Sequence, residues 1–113
     1  MGAQVKNQIF SMASGDDVDL VVTVRAADRC TKVDLTNATA LWVLADAQGC
    51  RPRVSKTGTI TDAENGEVTV YLVPSDTDRL CGTFHHELQL QDALGKTTTA
   101  MVGKARIVAD SAP

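Results

Sequence analysis

The sequence predicts an all-β fold: an antiparallel β-sandwich with one short helical turn. Two runs alternate apolar and polar residues, Glu67-Val-Thr-Val-Tyr-Leu-Val73 and Thr83-Phe-His-His-Glu-Leu-Gln-Leu-Gln91. Successive side chains on a strand point to opposite faces, so such runs bury one face and leave the other wet. Helical periodicity is almost absent, and Gly, Pro, Asn and Asp punctuate the chain. About six to eight short strands, with turn signals every 8 to 12 residues or so, favour a sandwich over a barrel or an α/β fold.

Gln4 to Met12 reads as a short strand or an arm whose bulky apolar anchors are Ile9 and Phe10. After the Ser14-Gly15-Asp16-Asp17 turn, Val18, Leu20, Val22 and Val24 form an inward-facing set. Ala26 to Asn37 is polar and loop-like, with Val33 and Leu35 spaced for a brief edge contact. Thr39 to Asp46 is a strand with both faces apolar, Ala40, Trp42 and Leu44 on one and Leu41, Val43 and Ala45 on the other. That pattern predicts a strand that is central or covered on both sides.

Arg53 to Thr61 is a weaker strand, interrupted by Gly58 as a candidate bulge. It leads into Asn65-Gly66, a pair that tolerates the positive φ of a tight hairpin, so a hairpin is predicted across residues 53 to 73. Pro74 stops the following strand, and Ser75 is suited to cap a single helical turn, with Asp76 and Asp78 at its positive end and Leu80 inward. Gly82 ends that turn. Lys96 to Val102 returns as a strand, with Gly103 a candidate bulge before Ala105 to Val108.

The 113 residues suit one domain: an N-terminal arm or edge strand over 1–12, the sandwich over 13–109, and a short tail over 110–113. A hydrophobic fraction of 43% supports a core without disulfides or metal. The net charge of −3 and scattered cations argue against nucleic acid, and Arg51, Arg53 and Lys56 read as a solvated loop and strand edge. No run approaches the roughly 18 apolar residues that span a bilayer, and Met1 to Met12 lacks a signal-peptide pattern, so no membrane partner and a cytosolic place of synthesis are expected. Cys30, Cys50 and Cys81 fit neither a disulfide framework nor a zinc site.

Catalytic chemistry finds little support. His85 and His86 are adjacent on a strand, so their rings point to opposite faces and cannot readily share one ion; His86 reads as a partly buried neutral imidazole and His85 as a surface residue. Asp16, Asp17 and Asp19, and Asp76 with Asp78, lack the EF-hand spacing and read as turn and cap residues. Cys81 and His86 have no identifiable oxyanion hole or orienting group. No enzyme, cofactor or metal site is expected, and Trp42 reads as a core anchor.

Taken in order, several pieces resemble the immunoglobulin-like β-sandwich of bacteriophage tail and baseplate proteins, notably the N-terminal domain of the baseplate upper protein type. They are Gly15-Asp-Asp-Val-Asp-Leu20, Val33-Asp-Leu-Thr36 leading into Ala38-Thr-Ala-Leu-Trp42, Gly66-Glu-Val-Thr-Val70, Ser75-Asp-Thr-Asp78 with Leu80, Gly82 to Asp92, Gly95, and Thr97-Thr-Thr99. The strand at Phe84-His85-His86, where that family more often centres a Tyr, and the lack of a longer C-terminal extension depart from it. The resemblance implies a non-enzymatic virion structural protein: a tail, baseplate or fibre-attachment subunit, alternatively a capsid decoration or cement protein or a host-surface glycan-binding module. It further implies other virion proteins as partners, a homo-oligomer or repeated copies on a symmetric assembly, and contacts made by Ile9 and Phe10.

Overall fold

The alternating runs become strands. A computed structural model describes residues 6–7, 9–24 and 34–109, so the expectations for Cys30, Val33 and the 110–113 tail lie outside the described residues. The elements are β1 (Lys6–Asn7), β2 (Phe10–Ala13), β3 (Val18–Thr23), β4 (Thr39–Ala45), β5 (Pro52–Asp62), β6 (Glu67–Leu72), α1 (Pro74–Thr77), β7 (Gly82–Gln91) and β8 (Thr97–Val108). One hydrogen-bonded path runs β1-β8-β7-β4-β5-β6-β3, and β2 also pairs with β8. The strand β2 thus continues across residues 12 and 13.

The path folds into two layers at β5. Its first half pairs with β4 (Leu41 opposite Thr57, Val43 opposite Ser55), while its second half pairs with β6 (Thr59 opposite Thr69, Ile60 opposite Val68). Gly58 stands at the crossing, where a Cβ would come within 2.8 Å of Val68 Cγ1 and 3.1 Å of Ala40 Cβ. A residue without a side chain lets the two layers close there. The result is an all-β sandwich whose larger layer holds β1, β2, β8, β7, β4 and the start of β5.

Between the layers lies one apolar cluster that includes Trp42, Leu44, Leu88, Leu90 and Met101 from the larger layer and Leu20, Val22, Val68, Val70 and Leu72 from the smaller. These are the inward sets of the alternating runs, each large side chain stabilising by roughly 1.5–3 kcal/mol on burial. Leu35, from the polar stretch, is also sealed in the core at 1% exposure, its N–H donating to Ala63 O at 2.8 Å.

Several expectations are corrected. The sandwich is not wholly antiparallel: β1 and β2 run parallel to β8, with Phe10 opposite Ala105 and Met12 opposite Ile107. The strand β4 is central in its layer, between β5 and β7, but its outer side is covered only in part: Ala45 is buried, Val43 half-buried and Leu41 41% exposed. Gly103 is no bulge but pairs in register with His86, and the slip falls where Gln89 meets Thr99 after Leu88 meets Met101. In the β5–β6 turn the positive φ is carried by Gly66 at 72° and not by Asn65.

The helical turn is capped differently from the sequence expectation. Pro74, lacking an N–H, takes the first helical position, so Val73 becomes the N-cap. The Asp76 carboxylate reaches back to accept from Val73 N at 2.8 Å, leaving Ser75 no capping role. Asp76 also meets Lys56 Nζ at 3.1 Å. Thr77 is buried and accepts from Gly15 N at 3.0 Å, tying α1 to the β2–β3 turn.

Candidate functional site

The residues with the greatest chemical potential are held apart. His86 lies in the core and accepts from the Trp42 indole N–H through Nδ1 at 3.1 Å. Indole nitrogen only donates, so Nδ1 carries no proton in this arrangement. Phe10 completes the group, its ring centroid 6.4 Å from that of Trp42 in an edge-on arrangement and 5.3 Å from that of His86. Cys81, by contrast, is exposed, so no Cys–His dyad forms with the buried His86.

His85 points the other way, to the outer face of the larger layer. Its Nε2 lies 2.8 Å from Glu87 Oε1, two residues along the same strand and hence on the same face. Of the cations near Cys50, Arg53 pairs with Asp46 at 3.2 Å and Lys56 with Asp76 at 3.1 Å. Asp16, Asp17 and Asp19 are exposed, and among the described residues no three His, Cys, Asp or Glu side chains gather in a metal-binding group. Asp34 and Asp92 act as turn residues: Thr36 O–H and N–H donors hold the Asp34 carboxyl below its usual range, and the Lys96 N–H, with that of Leu94, holds Asp92 below its own.

Of the two predicted contact residues, Ile9 is 72% exposed, whereas Phe10 packs against the core from β2. A broader surface lies on the outer face of β5, β4, β7 and β8. There Leu41 sits between Thr57 and Gln89, Val43 between Ser55 and Glu87, and Ala45 beside His85. Across β7, Glu87 faces Val102 and His85 faces Lys104. Two adjoining hollows of about 260 and 300 Å3 run along this face and share Leu41 and Gln89.

The floor of this groove is apolar and its β8 side is basic. Among the described residues neither Lys104 nor Arg106 has a carboxylate partner, and both are exposed. The two-faced apolar pattern of Leu41, Val43 and Ala45 was the signal for this surface in the sequence. It predicts a strand that is central or covered on both sides; β4 is central, and its outer face is covered at Ala45 and exposed at Leu41.

No protein-family model matches the chain, and no curated protein matches it. Among solved structures, the crystal structure of CopC from Methylosinus trichosporium OB3b aligns with a TM-score of 0.48 at 9% identity, covering 97% of this chain and 90% of that one.

The phage resemblance is corrected, since neither a family model nor a curated protein supports it. The roles drawn from it fall as well: tail, baseplate or fibre-attachment subunit, capsid decoration or cement protein, host-surface glycan-binding module, and virion location. The physical reason is that strand alternation and turn residues specify a sandwich, an architecture that hosts many unrelated functions.

Proposed function

We propose that this chain is a non-enzymatic β-sandwich domain that acts by pairing with a second copy of itself through the outer face of β5, β4, β7 and β8. The observation that carries the proposal is the apolar strip of exposed Leu41 and half-buried Val43, flanked by charges of opposite sign, Glu87 on β7 and Lys104 on β8. A twofold arrangement makes each contact twice, so one copy's Glu87 meets the other's Lys104 in two symmetric places. The charge pattern is therefore complementary to itself, and the apolar floor supplies the area-dependent part of the association. The non-enzymatic part is supported by the separation of His86, His85 and Cys81 described above.

The test is sedimentation velocity over a range of concentrations. A monomer–dimer equilibrium is expected, shifted toward monomer by Leu41→Glu and by Lys104→Glu. The double exchange Glu87→Lys with Lys104→Glu restores the dimer, because the paired charges are swapped rather than removed. A chain that stays monomeric at every concentration, or a dimer indifferent to these substitutions, would overturn the proposal.

A further inference from the structure

Asn65 is the one asparagine of the chain followed by glycine; Asn7 precedes Gln8 and Asn37 precedes Ala38. Glycine carries no Cβ, so its backbone nitrogen is the least hindered nucleophile a neighbouring side-chain amide can meet. Asn65 is exposed at the tip of the β5–β6 hairpin. Three contacts restrain the pair: Asn65 Nδ2 donates to Asp62 Oδ2 at 2.7 Å, Asn65 N to Asp62 Oδ1 at 3.4 Å, and Gly66 N to Ala63 O at 3.3 Å. The two backbone N–H bonds are long for N–H···O bonds and correspondingly weak.

We propose that Asn65 is a site of spontaneous deamidation whose rate is set by the Asp62 contact. In the reaction the Gly66 backbone nitrogen attacks Asn65 Cγ and forms a new N–C bond. The Cγ–Nδ2 bond breaks, and ammonia leaves with the proton that Gly66 N gives up. One water then opens the cyclic imide. Addition at Cγ leaves an aspartate with the normal backbone, and addition at the main-chain carbonyl leaves an isoaspartyl linkage with an extra methylene in the chain. No oxidant or metal is required. Asp62 restrains the reaction by holding the leaving nitrogen in place.

The position of the turn gives the modification a consequence. Its carbonyls anchor both ends of the segment that joins β3 to β4: Leu35 N donates to Ala63 O and Val24 N to Gly66 O, each at 2.8 Å, and Leu35 and Val24 are core residues. Deamidation replaces the donor that faces Asp62 by a carboxylate, so attraction at 2.7 Å becomes like-charge repulsion. The isoaspartyl form also lengthens the backbone between those two carbonyls. Both products loosen the anchors of Val24 and Leu35.

The experiment incubates the folded protein and Asp62→Ala at mildly alkaline pH, follows the peptides by mass spectrometry, and measures amide hydrogen exchange on aged and fresh samples. Conversion is expected at Asn65 and not at Asn37, several-fold faster in Asp62→Ala, with faster exchange at the Leu35 and Val24 amides of the converted fraction. Asn65→Asp, which installs one product directly, reproduces the exchange effect and carries that part of the test if Asp62→Ala does not fold. Equal conversion rates in the wild type and a folded Asp62→Ala, absence of conversion at Asn65, or unchanged exchange at Leu35 in Asn65→Asp would each overturn the proposal. None of these readouts depends on dimer formation.

Discussion

The Trp42 indole N–H and His86 Nδ1 satisfy one another at 3.1 Å inside the apolar core, from the neighbouring strands β4 and β7. Among the described residues no buried side-chain nitrogen or oxygen lacks a partner, and this bond is one reason. A buried polar group left without its partner costs about 1–3 kcal/mol, more than the net worth of the bond itself.

Trp42→Phe is therefore expected to destabilise the fold by about 2–4 kcal/mol, through the vacated Nδ1 acceptor together with the lost ring volume. Urea unfolding followed by circular dichroism measures it, since the substitution removes the single tryptophan needed for fluorescence. An unchanged midpoint would contradict a structural role for the pair.

Gly58→Ala adds a methyl where β5 passes between layers, 2.8 Å from Val68 Cγ1 and 3.1 Å from Ala40 Cβ. Those neighbours sit on central strands in the core and yield poorly, so a loss of about 1–3 kcal/mol is expected. Val68→Ala combined with Gly58→Ala should show less than additive destabilisation, because the truncated neighbour makes room. Strict additivity in a double-mutant cycle would place the strain elsewhere.

Asp92 closes the β7–β8 turn, accepting from Lys96 N at 2.9 Å and from Leu94 N at 3.0 Å. The Lys96 N–H is the leading cause of its lowered pKa, against an ordinary 3.8. A group whose folded pKa is depressed adds stability above its unfolded pKa and loses it as pH falls through the folded value. Wild type should therefore exceed Asp92→Asn in stability at neutral pH, with the gap closing in acid below the ordinary carboxylate range. Thermal melts of both proteins across that range test this, and a gap independent of pH would refute it.

The candidate surface was only partly legible in the sequence. Leu41, Val43 and Ala45 stand out as a second apolar face, but the register that sets Glu87 and Lys104 beside them joins residues far apart in the chain. Leu35 shows the same limit from the other side. A single leucine in a polar stretch has no period to reveal it, yet it is among the most buried residues of the protein. The sequence places His86 in a partly buried core position, whereas it is fully buried, and its bond to Trp42 has no signal in the sequence.

By itself the sequence determined which segments are strands, which of their residues turn inward, and where glycine and proline interrupt them. Those properties follow from the two-residue repeat and from local backbone sterics. Only the tertiary structure decided that β2 lies parallel to β8, that β5 serves both layers, that Val73 and not Ser75 caps the helical turn, and that Leu41 on the outer face of β4 stays exposed. Each of these depends on which distant segment supplies a hydrogen-bonding edge or a packing neighbour. Alternation records that a strand has an inside without recording what will cover its other side.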